Sequence, residues 1–565
     1  MRRRGLELVA LFALGLAYTV PVQPVGCNQT AHLALVKSVS DGSSTIDRYR
    51  TESCDIAYVD GRFYAAKSPG LALASVPWYS TLAAAGLVTP NPAEDAPYPE
   101  AMVEMPREAV WQVSLFGAAL AGFVLLLLVR RVADALVPRH GLVAAVTLGA
   151  GTLVLPFSTV YFSHVLSALL GFAAFAIALA ERRASPSLWR VAAAGAAAGL
   201  AVTVEHPVAI VAAIVGVYAA ARPRARARLA AYGAGGVAGL LPLLAYNWWA
   251  LGAPWRTPYA EAVIEPGVSG HDVIGANDEG FFGIGVPHPR DALELLFSAR
   301  GLLVLTPVVA AGVVGIRLLR RAGHRAEARV VAAIAAAFLV YNAAYYLPFG
   351  GFVPGPRFLI PILPFLALGI AAAFRAAPLV TGVLAAASVA AMALATAAEP
   401  LLGDDFTHAW LYRARDGDFT HTVVTLLGGG HGWLAIAPFV VLLALACGAA
   451  ALTLRRPARA EVAPAGAAVV AWAVVVAAAP ELLRIDRAVA QVTGATGVVL
   501  LVVALALVLV RVMRGATTAA IAFVPLAPLL FPEFASHSRW SLALVLVALL
   551  VLAAEPRVSS RLVPG

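Results

Sequence analysis

Charged residues are scarce in this sequence. Only 13% of its 565 residues are Asp, Glu, Lys or Arg, whereas 61% are hydrophobic and the mean hydropathy is +0.82. Soluble domains carry roughly 25% charged residues, and their cores cannot absorb so much apolar sequence. The composition therefore excludes an ordinary soluble protein and indicates an integral membrane protein.

Lysine is nearly absent, and Lys37 and Lys67 are the only two. The formal net charge of +9 comes from arginines that form short clusters between apolar runs rather than one continuous basic face, so no nucleic-acid partner is expected. The chain also lacks a Walker loop, a CxxC pair and an HExxH motif. Soluble nucleotide chemistry is therefore not predicted.

The apolar residues are grouped in runs of about 16 to 24, which match the thickness of a bilayer's hydrocarbon core. The N-terminus resembles a signal peptide, but no small-x-small cleavage site precedes Pro21 and Pro24, so it is interpreted as an uncleaved first helix. We predict an all-α polytopic protein with about sixteen spans, at 5–22, 109–131, 141–157, 159–180, 190–204, 207–221, 229–250, 301–316, 330–348, 358–374, 378–397, 432–454, 463–479, 492–511, 517–531 and 540–554.

Arginine clusters occupy every second loop between these predicted helices. Because cytoplasmic loops are enriched in Lys and Arg, the alternation predicts both termini in the cytoplasm and most acidic residues outside. Long external loops are then expected at 23–108, 251–300 and 399–431, and long loops on one face are where function concentrates. The apolar stretch 69–88 contains Pro77 and is predicted to be interfacial, since a span there would break the alternation.

The first external loop concentrates acidic residues, with both lysines among them. It also contains Cys27 and Cys54, while Cys447 lies in a predicted helix. Two cysteines on an oxidising face favour a disulfide, with free buried thiols as the alternative. A solvated surface loop is an equally simple interpretation of the acids, which are Asp41, Asp47, Glu52, Asp55 and Asp60.

The same loop resembles the GT-C superfamily of membrane glycosyltransferases, which includes protein O-mannosyltransferases and lipid A aminoarabinose transferases. Asn28-Gln29 stands where those enzymes have an Asp-Glu pair, residues 30–39 match their juxtamembrane helix, and DGRFYAAKSPG (60–70) looks like their lysine motif. Further similar blocks are YNWW (246–249), GFFG (280–283), SARGLL (298–303) and GPRFLIP (355–361). The resemblance covers roughly residues 1–375.

The resemblance implies roles for individual residues. Lys67 would neutralise the phosphate of a polyprenyl-phosphate sugar, and Arg357 would grip it as well, or else serve as an interfacial anchor. Asn28 cannot be the general base that the family's Asp is, so Asp55, with Asp47 in reserve, is predicted to take that role. The expected substrate-binding residues are Asn28, Gln29, Tyr64 and His164.

Three ionisable residues lie near the predicted external ends of helices, namely His164, Glu205 and His206. Ionisable groups in spans are functional candidates, although near a helix end they can simply meet lipid headgroups. The sequence leaves both interpretations open.

The expected function is transfer of a sugar from a polyprenyl-phosphate donor to a glycan, lipid or protein acceptor at the outer face of a cytoplasmic membrane. A transporter or flippase, or a non-catalytic binder, of lipid-linked glycans is the alternative. The expected partners are membrane lipid, the donor and the acceptor, and whether a divalent cation takes part is left open. Residues 1–400 are predicted to form the catalytic module, and 401–565 to form C-terminal helices of unknown role.

Overall fold

The computed structural model describes residues 2–262, 283–401 and 406–483, and within these ranges the chain is mostly helical with very little sheet. The helices of the first half are Arg2–Ala17 (α1), Cys27–Ser40 (α2), Gly70–Ala84 (α3), Glu100–Val103 (α4), Arg107–Ser114 (α5), Ala121–Leu136 (α6), Gly141–Gly151 (α7), Val154–Phe157 (α8), His164–Arg183 (α9), Leu188–Val204 (α10), Ala209–Ala220 (α11) and Ala225–Leu251 (α12). A π-helical turn, Leu115–Leu120, joins α5 to α6.

The second half continues with Pro289–Phe297 (α13), Leu302–Leu305 (α14), Val308–Arg321 (α15), Arg325–Ala343 (α16), Leu363–Ala376 (α17), Pro378–Ala398 (α18), Phe406–Asp416 (α19), Val423–Leu426 (α20), Trp433–Ala451 (α21) and Val462–Leu483 (α22). Short 3-10 segments occupy Asp47–Glu52, His206–Val208, Pro258–Glu261, Arg357–Ile362 and Arg459–Glu461. The strands are Pro21–Val22 (β1), Ile56–Val59 (β2), Arg62–Ala65 (β3) and His421–Thr422 (β4), which pair as β1–β4 and β2–β3.

Seven helices in the described ranges are long and apolar enough to cross a membrane, and a bent pair, Pro289–Leu305 with Val308–Arg321, makes up to eight. The chain is therefore a multi-pass membrane protein. The predicted count of sixteen is not confirmed. The last three predicted helices, at 492–511, 517–531 and 540–554, lie outside the described residues, while each of the others overlaps a helix of the structure.

Glycines set the closest helix contacts. A Cβ atom added at Gly199 in α10 would collide with the backbone of α12 at Gly236 and Gly239, and one added at Gly315 in α15 would collide with the backbone at Gly369 in α17. Lipid gives apolar helices no hydrophobic reason to associate, so small residues that let backbones approach provide the packing. These contacts bring α10 close to α12 and α15 close to α17.

Residues on both sides of position 400 share one core. Leu14, Phe157, Phe365 and Phe439 belong to the same buried cluster. In addition, β1 pairs antiparallel with β4, with Pro21 opposite Thr422. The described part of 401–565 thus packs against the first module, and the domain boundary near 400 stays a prediction.

Candidate functional site

A cavity of about 900 Å³ lies where several long helices start or end. Its wall includes residues at the starts of α9 and α11 and near the ends of α12 and α16, together with the 3-10 segment that precedes α17. The arginines at the far ends of these helices, such as Arg183, Arg228 and Arg375, belong to the clusters that the sequence places in the cytoplasm. The cavity therefore lies at the opposite end of the helices from these clusters.

A β-hairpin brings Asp55 and Lys67 together across twelve residues of sequence. Its two-residue turn, Asp60-Gly61, has φ angles of 51° and 81°, as a type I′ turn requires. The register pairs Ile56 with Ala65, and the Ala66 N–H continues the ladder by donating to the Asp55 carbonyl at 3.0 Å. The two side chains beyond the paired strands consequently meet at the cavity wall.

Asp55 and Lys67 form a buried ion pair, with 2.8 Å between Nζ and a carboxylate oxygen and with side chains only 13% (Lys67) and 8% (Asp55) exposed. Burial lowers the pKa of the Lys67 ammonium, and the charge of Asp55 opposes that shift. The carboxylate thus helps to keep the lysine charged.

The Cys27–Cys54 disulfide fastens this hairpin to the start of α2. The two Cα atoms are 5.1 Å apart, within the range that a disulfide spans. Both cysteines line the cavity, next to Asn28 and Asp55 respectively. The cross-link therefore fixes the carboxylate relative to α2.

Arg357 reaches the cavity from the 3-10 segment before α17. Its guanidinium carbon lies 5.3 Å from the Phe162 ring centroid and 5.0 Å from that of Phe358. Gly350, at φ 81°, leaves room for it, since a Cβ atom there would collide with the guanidinium. Among the described residues no carboxylate pairs with Arg357, and its buried Nε has no hydrogen-bond partner. A guanidinium held in this way is suited to bind an anion.

His164 occupies the same wall and is bound to Glu205. Its Nδ1 lies 2.7 Å from one carboxylate oxygen of Glu205, while the Ser167 hydroxyl donates to the other at 2.6 Å. All three side chains are buried. The sequence singled out His164 and Glu205 separately, and the structure joins them into one network.

Five tyrosines that the sequence analysis did not select also line the cavity, namely Tyr98, Tyr259, Tyr341, Tyr345 and Tyr346. The hydroxyls of Tyr259 and Tyr345 are in contact, and the ring of Tyr345 packs on Tyr341 and Tyr346 at 5.7 and 4.9 Å between centroids. The signal available was the crowding of the last three at the end of a predicted helix. Tyrosine rings and hydroxyls are suited to contact a polar, ring-shaped ligand.

The remaining sequence-predicted residues divide into two groups. Asn28 lines the cavity, and its buried Oδ1 has no hydrogen-bond partner. The others do not line it. Gln29 is turned into the protein, where it donates to the Pro24 carbonyl and accepts from the Tyr161 N–H, and the Tyr64 hydroxyl donates to the Ala250 carbonyl.

Asp47 binds the turn end of the hairpin instead of facing the cavity. It accepts hydrogen bonds from the Thr45 hydroxyl, the Arg62 guanidinium and the Phe63 N–H. These partners give it a local structural role. The structure thus brings Asp55 and not Asp47 to the cavity.

No group of three or more His, Cys, Asp or Glu side chains that could hold a metal ion occurs in the ranges 2–262, 283–401 and 406–483. The sequence leaves open whether a divalent cation takes part in the function, and the structure does not test it.

Comparison with known proteins gives little. No protein-family model matches the chain, and neither does any curated protein. Two solved structures are similar, both of ArnT from Cupriavidus metallidurans. The complex with undecaprenyl phosphate is 15% identical, with a TM-score of 0.44, over 82% of this chain and 79% of that chain. The apo state is 16% identical, with a TM-score of 0.46, over 82% and 78%. Similarity this low carries no weight for fold or function.

Proposed function

We propose that this chain is a membrane glycosyltransferase that moves a sugar from a polyprenyl-phosphate donor to an acceptor at the outer face of the membrane. The observation that carries this proposal is the pairing of charges in the cavity. Lys67 is balanced by Asp55, but Arg357 has no carboxylate partner among the described residues. A half-buried cation with no carboxylate in contact is costly, so a bound anion is the natural partner.

A lipid-linked phosphate fits the rest of the wall. The cavity carries apolar side chains such as Val25, Ile210 and Leu401 alongside the polar groups. A polyprenyl chain can lie against the former while the phosphate meets Arg357 and Lys67. As the sugar leaves, the phosphate gains negative charge, and these two cations stabilise it.

Asp55 supplies the base in this proposal. It must accept the proton of the acceptor hydroxyl, and Lys67 beside it keeps the carboxylate ionised. The disulfide and the hairpin hold it in place, which is the pre-organisation that catalysis requires.

The outer-face location rests on the arginine alternation, because the cavity lies at the helix ends away from the arginine clusters. The test is cysteine labelling in intact cells in a Cys447→Ser background. Asp416→Cys should react with an impermeant maleimide and Arg224→Cys should not. Both positions are exposed in the structure, so reaction at Arg224→Cys would contradict the topology.

The test of function combines photo-crosslinking with sugar transfer. Membranes would be exposed to a photoreactive polyprenyl phosphate and then to a panel of polyprenyl-phosphate hexoses and pentoses. Lys67→Ala should lose both crosslinking and transfer. Arg62→Ala is the matched control, since this cation lies on the same hairpin, pairs with Asp47 and does not line the cavity. Wild-type protein that neither crosslinks nor transfers would refute the proposal.

A non-catalytic binder of the same lipid is the second candidate. It is favoured by one observation, that the side chain at the family's acidic position is the amide of Asn28. Crosslinking without transfer for every donor in the panel would select this alternative.

A further inference from the structure

The cavity contains a histidine, His164, whose second ring nitrogen has no partner in the part of the chain that the structure describes. His164 is 3% exposed, and its Nδ1 is bound to Glu205. Its Nε2 is buried and has no hydrogen-bond partner among the described residues. Buried polar atoms are nearly always satisfied. Because His164 lines the cavity, a bound ligand is the available partner.

Glu205 holds the ring in a defined orientation. It lies at the end of α10 in an extended backbone conformation, with φ −156° and ψ 111°, and α9 begins at His164. Both carboxylate oxygens are occupied, one by Nδ1 and the other by the Ser167 hydroxyl. A carboxylate on Nδ1 fixes the tautomer and directs the chemistry to Nε2.

His164 lies on the side of the cavity where the phosphate would bind. Its ring centroid is 5.9 Å from that of Phe162 and 5.6 Å from that of Phe358, and the Arg357 guanidinium packs on the same two rings. The imidazole and the guanidinium are thus neighbours through shared aromatic contacts. A phosphate held by Arg357 would lie beside the imidazole.

We infer that His164, positioned by Glu205, is the general acid that protonates the leaving phosphate. This inference rests on the proposed function and adds a catalytic residue to it. Histidine is the most common general acid in enzymes, and the phosphate oxygen that gains charge as the sugar leaves can accept its proton. Protonation by His164 limits the negative charge that builds up on the leaving phosphate inside the cavity.

Transfer of the sugar forms one bond, breaks another and moves two protons. The acceptor oxygen bonds to the anomeric carbon and its proton goes to Asp55, while the bond from that carbon to the phosphate oxygen breaks and its electron pair stays on the oxygen. The Nε2–H of the imidazolium gives its proton to this oxygen. The products are the glycoside and the polyprenyl phosphate monoanion, with Asp55 protonated and His164 neutral. Return of the proton from Asp55 to His164 through water resets the site.

The test uses undecaprenyl phosphate as a probe and needs neither the sugar nor the acceptor. Its ³¹P resonance, recorded on the purified full-length protein across pH, reports the ionisation of the bound phosphate. An imidazolium beside the phosphate favours the dianion, so in His164→Gln the transition should move to higher pH by about one unit, the size typical of a neighbouring charge.

The charged and titratable groups around His164 are Glu205, Arg357, Lys67 and His32, and all of them stay unchanged in this variant. His324→Gln is the control. It removes an imidazole that does not line the cavity and whose Nε2 lies 3.0 Å from the Leu136 carbonyl oxygen, and it should leave the transition where it is. An equal shift in both variants, or no shift in either, would overturn the role of His164.

Binding of undecaprenyl phosphate tests the proposed function separately from the role of His164. Wild-type protein that does not bind the probe refutes the proposed function, whereas binding without a His164-dependent shift refutes only this inference. If His164→Gln does not fold, Glu205→Gln is the second variant, since its amide oxygen still accepts from Nδ1. With a donor that the wild type turns over, its kcat should fall about 100-fold while KM stays unchanged. An unchanged kcat would overturn the inference.

Discussion

Arg228 and Arg357 lie at opposite ends of the helices, and their guanidinium groups differ in their ion-pair and hydrogen-bond partners. Arg228 is buried and meets Glu181 through both terminal nitrogens, and its Nε donates to the Ala219 carbonyl at 2.7 Å. Glu181 also accepts from the Ser187 N–H. Arg357 has aromatic neighbours but no carboxylate partner among the described residues.

We infer from these different partners that Arg228 stabilises the fold, whereas Arg357 is available to bind a ligand. A buried ion pair persists when every donor and acceptor is used, as around Arg228. A cation with unpaired hydrogen-bond donors lowers the stability of the fold, and such residues are typical of functional sites. The ion-pair partner of Arg228, Glu181, lies 47 residues away in the chain, so the flanking sequence does not show which of the two arginines is paired.

The largest expected effect is on stability. Replacing Arg228 with Met would leave the Glu181 carboxylate buried without its partner, at a cost of about 3–5 kcal/mol. Thermal unfolding in detergent should therefore occur at a clearly lower temperature. Arg357→Met should unfold at or above the wild-type temperature. Equal losses in the two variants would contradict the distinction between the two arginines.

The cavity end is held by a covalent link in addition to its ion pair. Removing the Cys27–Cys54 disulfide with the double Ser variant opens a loop of 27 residues and should cost roughly 3 kcal/mol in the chain-entropy model. Asp55 would also lose its anchor, so transfer should fall even at temperatures where the protein stays folded. Wild-type activity with lowered stability would show that the hairpin alone positions the carboxylate.

Asp55→Asn should reduce turnover by about 100-fold or more, because the acceptor hydroxyl loses its base. The buried pair adds a second consequence. Burial lowers the pKa of Lys67, and Asp55 opposes this; without the carboxylate the lysine is more easily neutralised as pH rises, and donor binding should weaken first at alkaline pH. Transfer rates and donor affinity measured across pH would check both effects.

Asp47→Asn is the control for this variant. Asp47 bonds Arg62 and Phe63 away from the cavity, so its loss should leave turnover within a few-fold of wild type. Full activity in Asp55→Asn would remove Asp55 from the mechanism and move the preference to a lipid-binding role.

The helices could be predicted from the sequence because each corresponds to a long, continuous run of apolar residues. The predicted spans 358–374 and 378–397, for example, correspond to the helical stretches 357–376 and 378–398. The break between α14 and α15 was missed, since two helices bent by 89° have the same composition as one straight span. The predicted number of spans is not confirmed, because apolar helices of 10–17 residues such as α7 and α10 are too short to count as spans by length and three predicted spans lie outside the described residues.

Only part of the site could be predicted from the sequence. Lys67, Asp55 and His164 were selected by residue type and by resemblance, and all three line the cavity. The hairpin that pairs Asp55 with Lys67 was missed, although Asp60-Gly61 between two alternating segments is a strong hairpin signal. The network of His164 with Glu205 joins residues 41 positions apart on neighbouring helices, and a single sequence contains no information on such a contact.

The most direct test of the account is the affinity of the purified protein for undecaprenyl phosphate, measured for wild type, Arg357→Met and Arg228→Met and normalised to folded protein. Hydrogen bonds to a charged group contribute about 1.5–3 kcal/mol. We therefore expect Arg357→Met to bind about ten- to a hundredfold more weakly and Arg228→Met to bind like wild type. Equal affinity of Arg357→Met and wild type would contradict the claim that this arginine is kept for a lipid phosphate.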